Sequence, residues 1–319
     1  MNEVIKAEID DRIRLASTVP GTDRPEGTPG TGSATREARG RPLLADICLA
    51  AGVICIGFSA IFVRLAGIPG ISSAFYRVFV ASLALVPISL VRRPVIRSRS
   101  VVGLSVLAGV LFGLDLSFWN VAVMGTKATN AALLAYLAPI WVGLGAQALL
   151  GEKLKKTFWP GTAIALLGMF VIFGGGLRSL QFGTGDLLAA VSSFFYAGYL
   201  LVSQAARARV GTLTFTVLSV FSSTAVLFLI ALITRQPLAG FSGRTWISLA
   251  ALGLISHLGG WLSINYALGH VKASVTSVTL LGQPIITALA ALVILGEPLG
   301  LPQVLGGLLI LPGIYLVNR

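Results

Sequence analysis

Arg77 and Asp115 each stand inside a long apolar run of the sequence, where a charge is costly unless it is paired or faces water. At ~1.5 Å of rise per residue, Arg77 lies about 9 Å and Asp115 about 12 Å below the outer ends of the helices expected to carry them. At such similar depths two chemistries are open. The two residues can bind an amino or carboxylate group of a small molecule, with Asp115 also able to carry a coupling proton, or they can form a structural ion pair between neighbouring helices. Trp119 and Asn120 follow Asp115 at helical spacing, and Trp261, Asn265 and Tyr266 occupy the corresponding segment later in the chain. Tyr136 and Gln283 lie just before Pro139 and Pro284, and Tyr196 and Tyr199 share one run. Aromatics with a polar tip and amides that want a partner suit a cavity for flat or cationic organic molecules. The same residues could instead serve as interface anchors and interhelical glue. They are carried forward as the candidate substrate-binding set, with Pro139 and Pro284 as helix-break or gating positions.

Other reactive residue types read as packing. His257, alone among apolar residues, is expected to be a hydrogen-bonded packing residue rather than a proton relay. Glu152 and Glu297 each follow a glycine and are expected to cap the next helix at its positive N-terminus. Cys48 and Cys55 are separated by roughly 10 Å of helix, too far for a disulfide. The Gly109-x-x-x-Gly113 spacing is read as internal packing. No metal site and no cofactor is suggested, and no GxxxxGK[ST] phosphate loop occurs.

The elements that must position these residues follow from composition. A mean hydropathy of +0.88, with 55% apolar and 11% charged residues among 319, makes lipid the solvent for most of the chain. Apolar blocks about 20 residues long favour helices over barrel strands. Residues 1–42, with seven basic and seven acidic side chains and no apolar period, are expected to be a disordered cytoplasmic tail. Helices are expected at 43–66, 71–91, 101–123, 128–150, 158–176, 185–206, 212–233, 245–268, 273–295 and 301–317. The breaks between them fall on turn chemistry such as Ile68-Pro69-Gly70, Arg92-Arg93-Pro94, Gly174-Gly175-Gly176 and Gly296-Glu297-Pro298.

The formal charge of +12 belongs wholly to the part beyond the tail, in short connections between apolar runs. That pattern sets topology and argues against a nucleic-acid partner. Eleven basic residues, including Arg92, Arg93, Arg97, Lys153, Lys155 and Lys156, fall on one side against five, Arg64, Lys127, Arg178, Arg235 and Arg244, on the other. Both termini are therefore expected in the cytoplasm.

Two stretches match without a gap at an offset of 145, pairing Asn120 with Asn265, Lys127 with Lys272, Pro139 with Pro284, Gly151 with Gly296, Glu152 with Glu297, Gly161 with Gly306 and Gly168 with Gly313. The offset spans five helices, an odd number, so the second copy enters the membrane upside down. The expected fold is an all-α integral membrane protein of ten transmembrane helices arranged as two inverted five-helix repeats, 43–176 and 185–319. Inverted repeats are the architecture of alternating access, and the matched prolines point to a site near the midplane.

The strings ATNAALLAYLAPIWVGLGAQALLGEKL and ASVTSVTLLGQPIITALAALVILGEPL resemble the paired late-helix motifs of EamA-type drug/metabolite transporters. So do AFYRVFVASLAL, which carries Arg77, and INYALGHVKAS. The resemblance covers about residues 43–319 and implies a ten-helix secondary carrier, usually working outward, for amino acids, related metabolites or drugs. At Gln283 the sequence departs from the pattern, since many relatives carry Glu before the proline, so this chain must do without a proton-carrying carboxylate at that position.

The expected function is a secondary active transporter, more an exporter than an importer, of small metabolites such as amino acids across a bacterial plasma membrane. Its partners would be the substrate, membrane lipid and a coupling proton or ion, in a monomer or homodimer. The alternatives are a non-transporting sensor or assembly partner that uses the tail, and, with less support, an intramembrane enzyme, for which the clustered acid-base residues are lacking.

Overall fold

The computed structural model describes residues 42–93, 98–126, 128–173 and 183–319. The tail up to residue 41, Pro94, Arg97, Lys127, Arg178 and the Gly174-Gly175-Gly176 break lie outside the described residues. Among those described the chain is helical, without strands, as segments in lipid must pair their own N–H and C=O groups. The helices are α1 (Leu43–Ala66), α2 (Gly70–Arg92), α3 (Arg99–Gly125), α4 (Ala128–Ala135 and Ala138–Leu150), α5 (Phe158–Phe173), α6 (Thr184–Arg207), α7 (Thr212–Ile233), α8 (Gly243–Leu268), α9 (Ala273–Leu295) and α10 (Leu301–Asn318). Nine are long and apolar enough to cross a membrane, while α5, at 16 residues, is shorter. Apart from the end of α5, every limit falls within two residues of its sequence expectation.

Local chemistry explains the helix ends. The Ser98 hydroxyl accepts the Ser100 N–H at 3.3 Å to start α3, and Ser242 accepts the Thr245 N–H at 3.2 Å to start α8. At the start of α6 the Asp186 carboxylate accepts the Gly183 N–H at 3.0 Å and the Thr126 hydroxyl at 2.8 Å. Gly151 and Gly296 close α4 and α9 in the left-handed conformation, at φ +60° and +68°. The following N–H groups bond back into each helix, Glu152 to the Ala146 carbonyl at 2.9 Å and Glu297 to Ala291 at 3.2 Å. This is the Schellman arrangement. The Gly-Glu pairs therefore finish the preceding helix instead of capping the next, which corrects the sequence expectation. Their carboxylates reach other helices: Glu152 accepts from Ser274, and Glu297 forms an ion pair with Arg64.

Four helices are irregular partway along. α1 breaks at Phe58, α8 contains a π-helical stretch over Leu252–Gly259, and α4 and α9 break immediately before their prolines. In α9 a 3₁₀ turn, Leu280–Gly282, separates Ala273–Thr279 from Gln283–Ala290. Pro139 and Pro284 stand in the first turn of the second piece, where a missing N–H forfeits no helical bond.

Packing obeys the repeat. With α1 to α5 matched to α6 to α10, α3 packs on α6 as α8 packs on α1. Likewise α4 packs on α6 as α9 packs on α1, and α3 on α7 as α8 on α2. Two helices pack on their own mates, α2 on α7 and α5 on α10. In the α5–α10 contact a Cβ on Gly161 would meet the Gly313 carbonyl at 2.8 Å, and one on Gly168 would meet that of Gly306 at 2.6 Å. Each glycine thus faces the repeat mate of the other, the mark of a two-fold axis between inverted halves. The Gly109–Gly113 face is internal, as expected: Ser223 of α7 donates to the Gly109 carbonyl at 2.8 Å. One consequence was not readable from the repeat. The sequence halves interleave, so that α3, α4 and α6 form one packed group and α8, α9 and α1 the other.

Candidate functional site

Between these two groups lies a cavity of about 620 Å³ with walls from α1, α2, α3, α4, α6, α8 and α9. It extends from Ile56, Leu252 and Trp261 in the interior to Arg64, Gly70 and Val123 near one set of helix ends. Its wall is largely apolar and aromatic, with a few polar groups converging, the usual make-up of a small-molecule site.

Arg77 and Asp115 both line it. They do not form the ion pair that the sequence left open. Instead the Asp115 carboxylate accepts the Ser192 hydroxyl of α6 at 2.6 Å. Arg77 makes no hydrogen bond to a described residue, and its buried Nε is without a partner. Two more cavity residues have buried polar atoms in the same condition, Ser73 Oγ and Trp261 Nε1. Ser73 precedes Arg77 by one helical turn, so both present to the same side of α2. Buried donors without partners are rare in folded proteins. Here they are gathered in one cavity, opposite one anchored carboxylate.

The aromatic residues hold one another in place. Trp261 meets Phe112 edge-on at 4.8 Å between ring centroids, Tyr199 at 5.0 Å and Tyr196 at 6.0 Å. These side chains come from α3, α6 and α8 and are fixed by tertiary contact.

Of the residues singled out in the sequence, Arg77, Asp115, Trp119, Asn120, Tyr136, Tyr196, Trp261 and Gln283 line the cavity. Tyr199, Asn265 and Tyr266 do not, and neither do Pro139 and Pro284, which are buried beside the breaks they create. Asn265 belongs to a closed network at the opposite end: it accepts from Tyr199 at 3.0 Å and donates to Thr216 at 3.3 Å, and its backbone carbonyl accepts from Arg207 at 2.8 Å. The Tyr266 ring packs tilted against His270, with 4.7 Å between ring centroids. Beside them the Gln204 side chain accepts the Ala273 N–H, and Ser274 donates to Glu152. Inversion is the physical reason. Asn120 and Asn265 are repeat mates on helices that point opposite ways, so a cavity open towards one end includes the first and excludes the second.

Sequence reasoning passed over Ser73, Phe112 and Thr287, which also line the cavity. Ser73, Phe112 and Thr287 stand about one helical turn from Arg77, Asp115 and Gln283 and could have been found by that spacing. His257 departs from expectation in another way. It is 2% exposed, its ring lies 5.6 Å from that of Phe112, and neither ring nitrogen has a hydrogen-bond partner among the described residues.

Comparison with known proteins supplies a lineage. The EamA-like transporter family matches residues 43–174 and again 183–319. An "Uncharacterized transporter" of Archaeoglobus fulgidus is 26% identical over 278 residues, covering 86% of this chain and 96% of its own. A "Probable terminal-alkyne amino-acid exporter" of Streptantibioticus cattleyicolor is 28% identical over 272 residues, covering 82% and 88%. A solved crystal structure superposes with a TM-score of 0.73 at 20% identity, covering 85% of this chain and 95% of the other, which is a likeness of fold.

Proposed function

The chain belongs to the EamA-like transporter family, a multi-pass membrane transporter, and from that premise we propose that it exports zwitterionic metabolites, amino acids or compounds built like them. The observation that carries this reading is the presence of Arg77 and Asp115 in one cavity without an ion pair between them. A buried guanidinium that makes no ion pair or hydrogen bond among the described residues has room for a further counter-charge. A substrate carboxylate supplies one, with Ser73 and Trp261 as further donors, while Asp115 receives the ammonium group. The aromatic wall accommodates an apolar side chain.

Alternating access suits the interleaved packing. The groups α3–α4–α6 and α8–α9–α1 rock about the axis marked by α2–α7 and α5–α10, opening one end as the other closes. On the charge-bias topology the closed end, at Asn265 and Glu152, is cytoplasmic, and the cavity faces outward. Release then requires the ammonium to leave Asp115, and a proton arriving from outside competes for the same carboxylate. The name of the Streptantibioticus relative, an amino-acid exporter, supports the outward direction and the substrate class.

Exchange of radiolabelled L-amino acids by the purified protein in proteoliposomes tests the reading. Arg77→Leu and Asp115→Leu should each lower exchange by about tenfold or more, and the double variant should be no better. Exchange restored in the double variant, at equal protein yield, would identify a structural pair and sink the binding role.

A further inference from the structure

The break in α9 places one more polar group in the cavity. Gln283 is the first residue of the piece Gln283–Ala290, and it lines the cavity beside Thr287. Thr287 is already engaged, donating to the Gly57 carbonyl at 2.7 Å. The Gln283 carboxamide has no such engagement among the described residues and is free to meet what enters. The repeat does not require it. Its mate at the α4 break, at the offset of 145, is Ala138, which is 1% exposed and outside the cavity.

The charges around the cavity explain why a neutral group matters here. Arg77 and Asp115 oppose each other one for one, and Arg64 at the mouth is matched by Glu297. Among the described residues the fixed charge therefore balances as long as position 283 is neutral. A Glu at that position has the shape of Gln but would leave two carboxylates facing one guanidinium. Such a cavity would repel a substrate carboxylate and favour a cation, because charges act strongly across a space walled by low-dielectric side chains.

We infer that Gln283 determines the charge class of the cargo, keeping the cavity neutral so that zwitterions are accepted over cations. This rests on the zwitterion reading above and adds a specificity residue to it. The amide contributes hydrogen-bonding capacity of either sense, so it accepts either end of a zwitterion without fixing a net charge.

The test compares L-phenylalanine with the permanent cation phenyltrimethylammonium, which keeps the ring and loses the carboxylate. Both are measured by exchange in proteoliposomes and by quenching of tryptophan fluorescence in the purified protein. Gln283→Glu should lower the zwitterion-to-cation ratio by about tenfold, and Gln283→Ala, which removes the amide without adding charge, by less than about threefold. Gln283→Lys should shift the ratio the opposite way and replaces Gln283→Glu should that variant not fold. Equal ratios in the wild type and the charged variants overturn the inference. If the wild type carries no amino acid, the zwitterion reading fails by itself, and cation binding still decides this point. Tighter quenching by phenyltrimethylammonium in Gln283→Glu than in the wild type supports a charge-selecting role, and equal quenching rejects it.

Discussion

Trp261 shows how a single side chain can be both scaffold and ligand group. Its ring is packed by Phe112, Tyr196 and Tyr199, while its buried Nε1 has no partner among the described residues. Packing and hydrogen bonding can be separated by Trp261→Phe, which keeps an aromatic ring and deletes the N–H. If that donor serves a substrate carboxylate, KM for amino-acid exchange should rise by about 3- to 10-fold, with thermal stability in detergent little changed. Unchanged KM together with a lower melting temperature would assign Trp261 to packing alone. His257 illustrates the limit of residue-level reading. A lone histidine in an apolar run is ordinarily satisfied by a neighbour, yet here the Phe112 ring packs tilted against it and neither ring nitrogen finds a partner among the described residues.

Individual helices divide between rigid contact and local irregularity. The α5–α10 pair is rigid: Gly161 and Gly168 lie against Gly313 and Gly306 so closely that no Cβ fits without displacement. Gly168→Ala should therefore destabilise the protein by about 1–3 kcal/mol through overpacking, seen as a lower melting temperature. Gly103→Ala, where a Cβ meets nothing within 4 Å, should change it little. Equal stability of the two variants would show that the helices part readily and are not a fixed seam. Among the irregular elements, α4 and α9 break at prolines. Their prolines were legible as breakers, and their pairing in the repeat indicated that the breaks were matched. The residues that the sequence marks just before each break, Tyr136 before Pro139 and Gln283 before Pro284, line the cavity, whereas the prolines, expected as gating positions, do not.

At the scale of the whole molecule the two ends are unlike. One end is crossed by Asn265 with Tyr199 and Thr216, Gln204 with Ala273, and Ser274 with Glu152. The cavity extends towards the other end. If transport requires the closed end to part, a covalent tie there should stop it. In a background with Cys48 and Cys55 replaced, Glu152→Cys with Ser274→Cys, cross-linked by oxidation, should abolish exchange, and a reductant should restore it. Full exchange by a quantitatively cross-linked protein would place the moving surfaces elsewhere. By itself the sequence determined the helical elements, their approximate limits, the repeat and eight of the cavity residues. Hydropathy, turn chemistry and internal matching are properties of short segments or of one segment compared with another, and they survive without coordinates. The tertiary structure alone decided that the sequence halves interleave, that Arg77 and Asp115 stand apart, and that Asn120 reaches the cavity while its mate Asn265 is sealed away. Each of these depends on which helix faces which, and on one conformation breaking the symmetry that the repeat encodes.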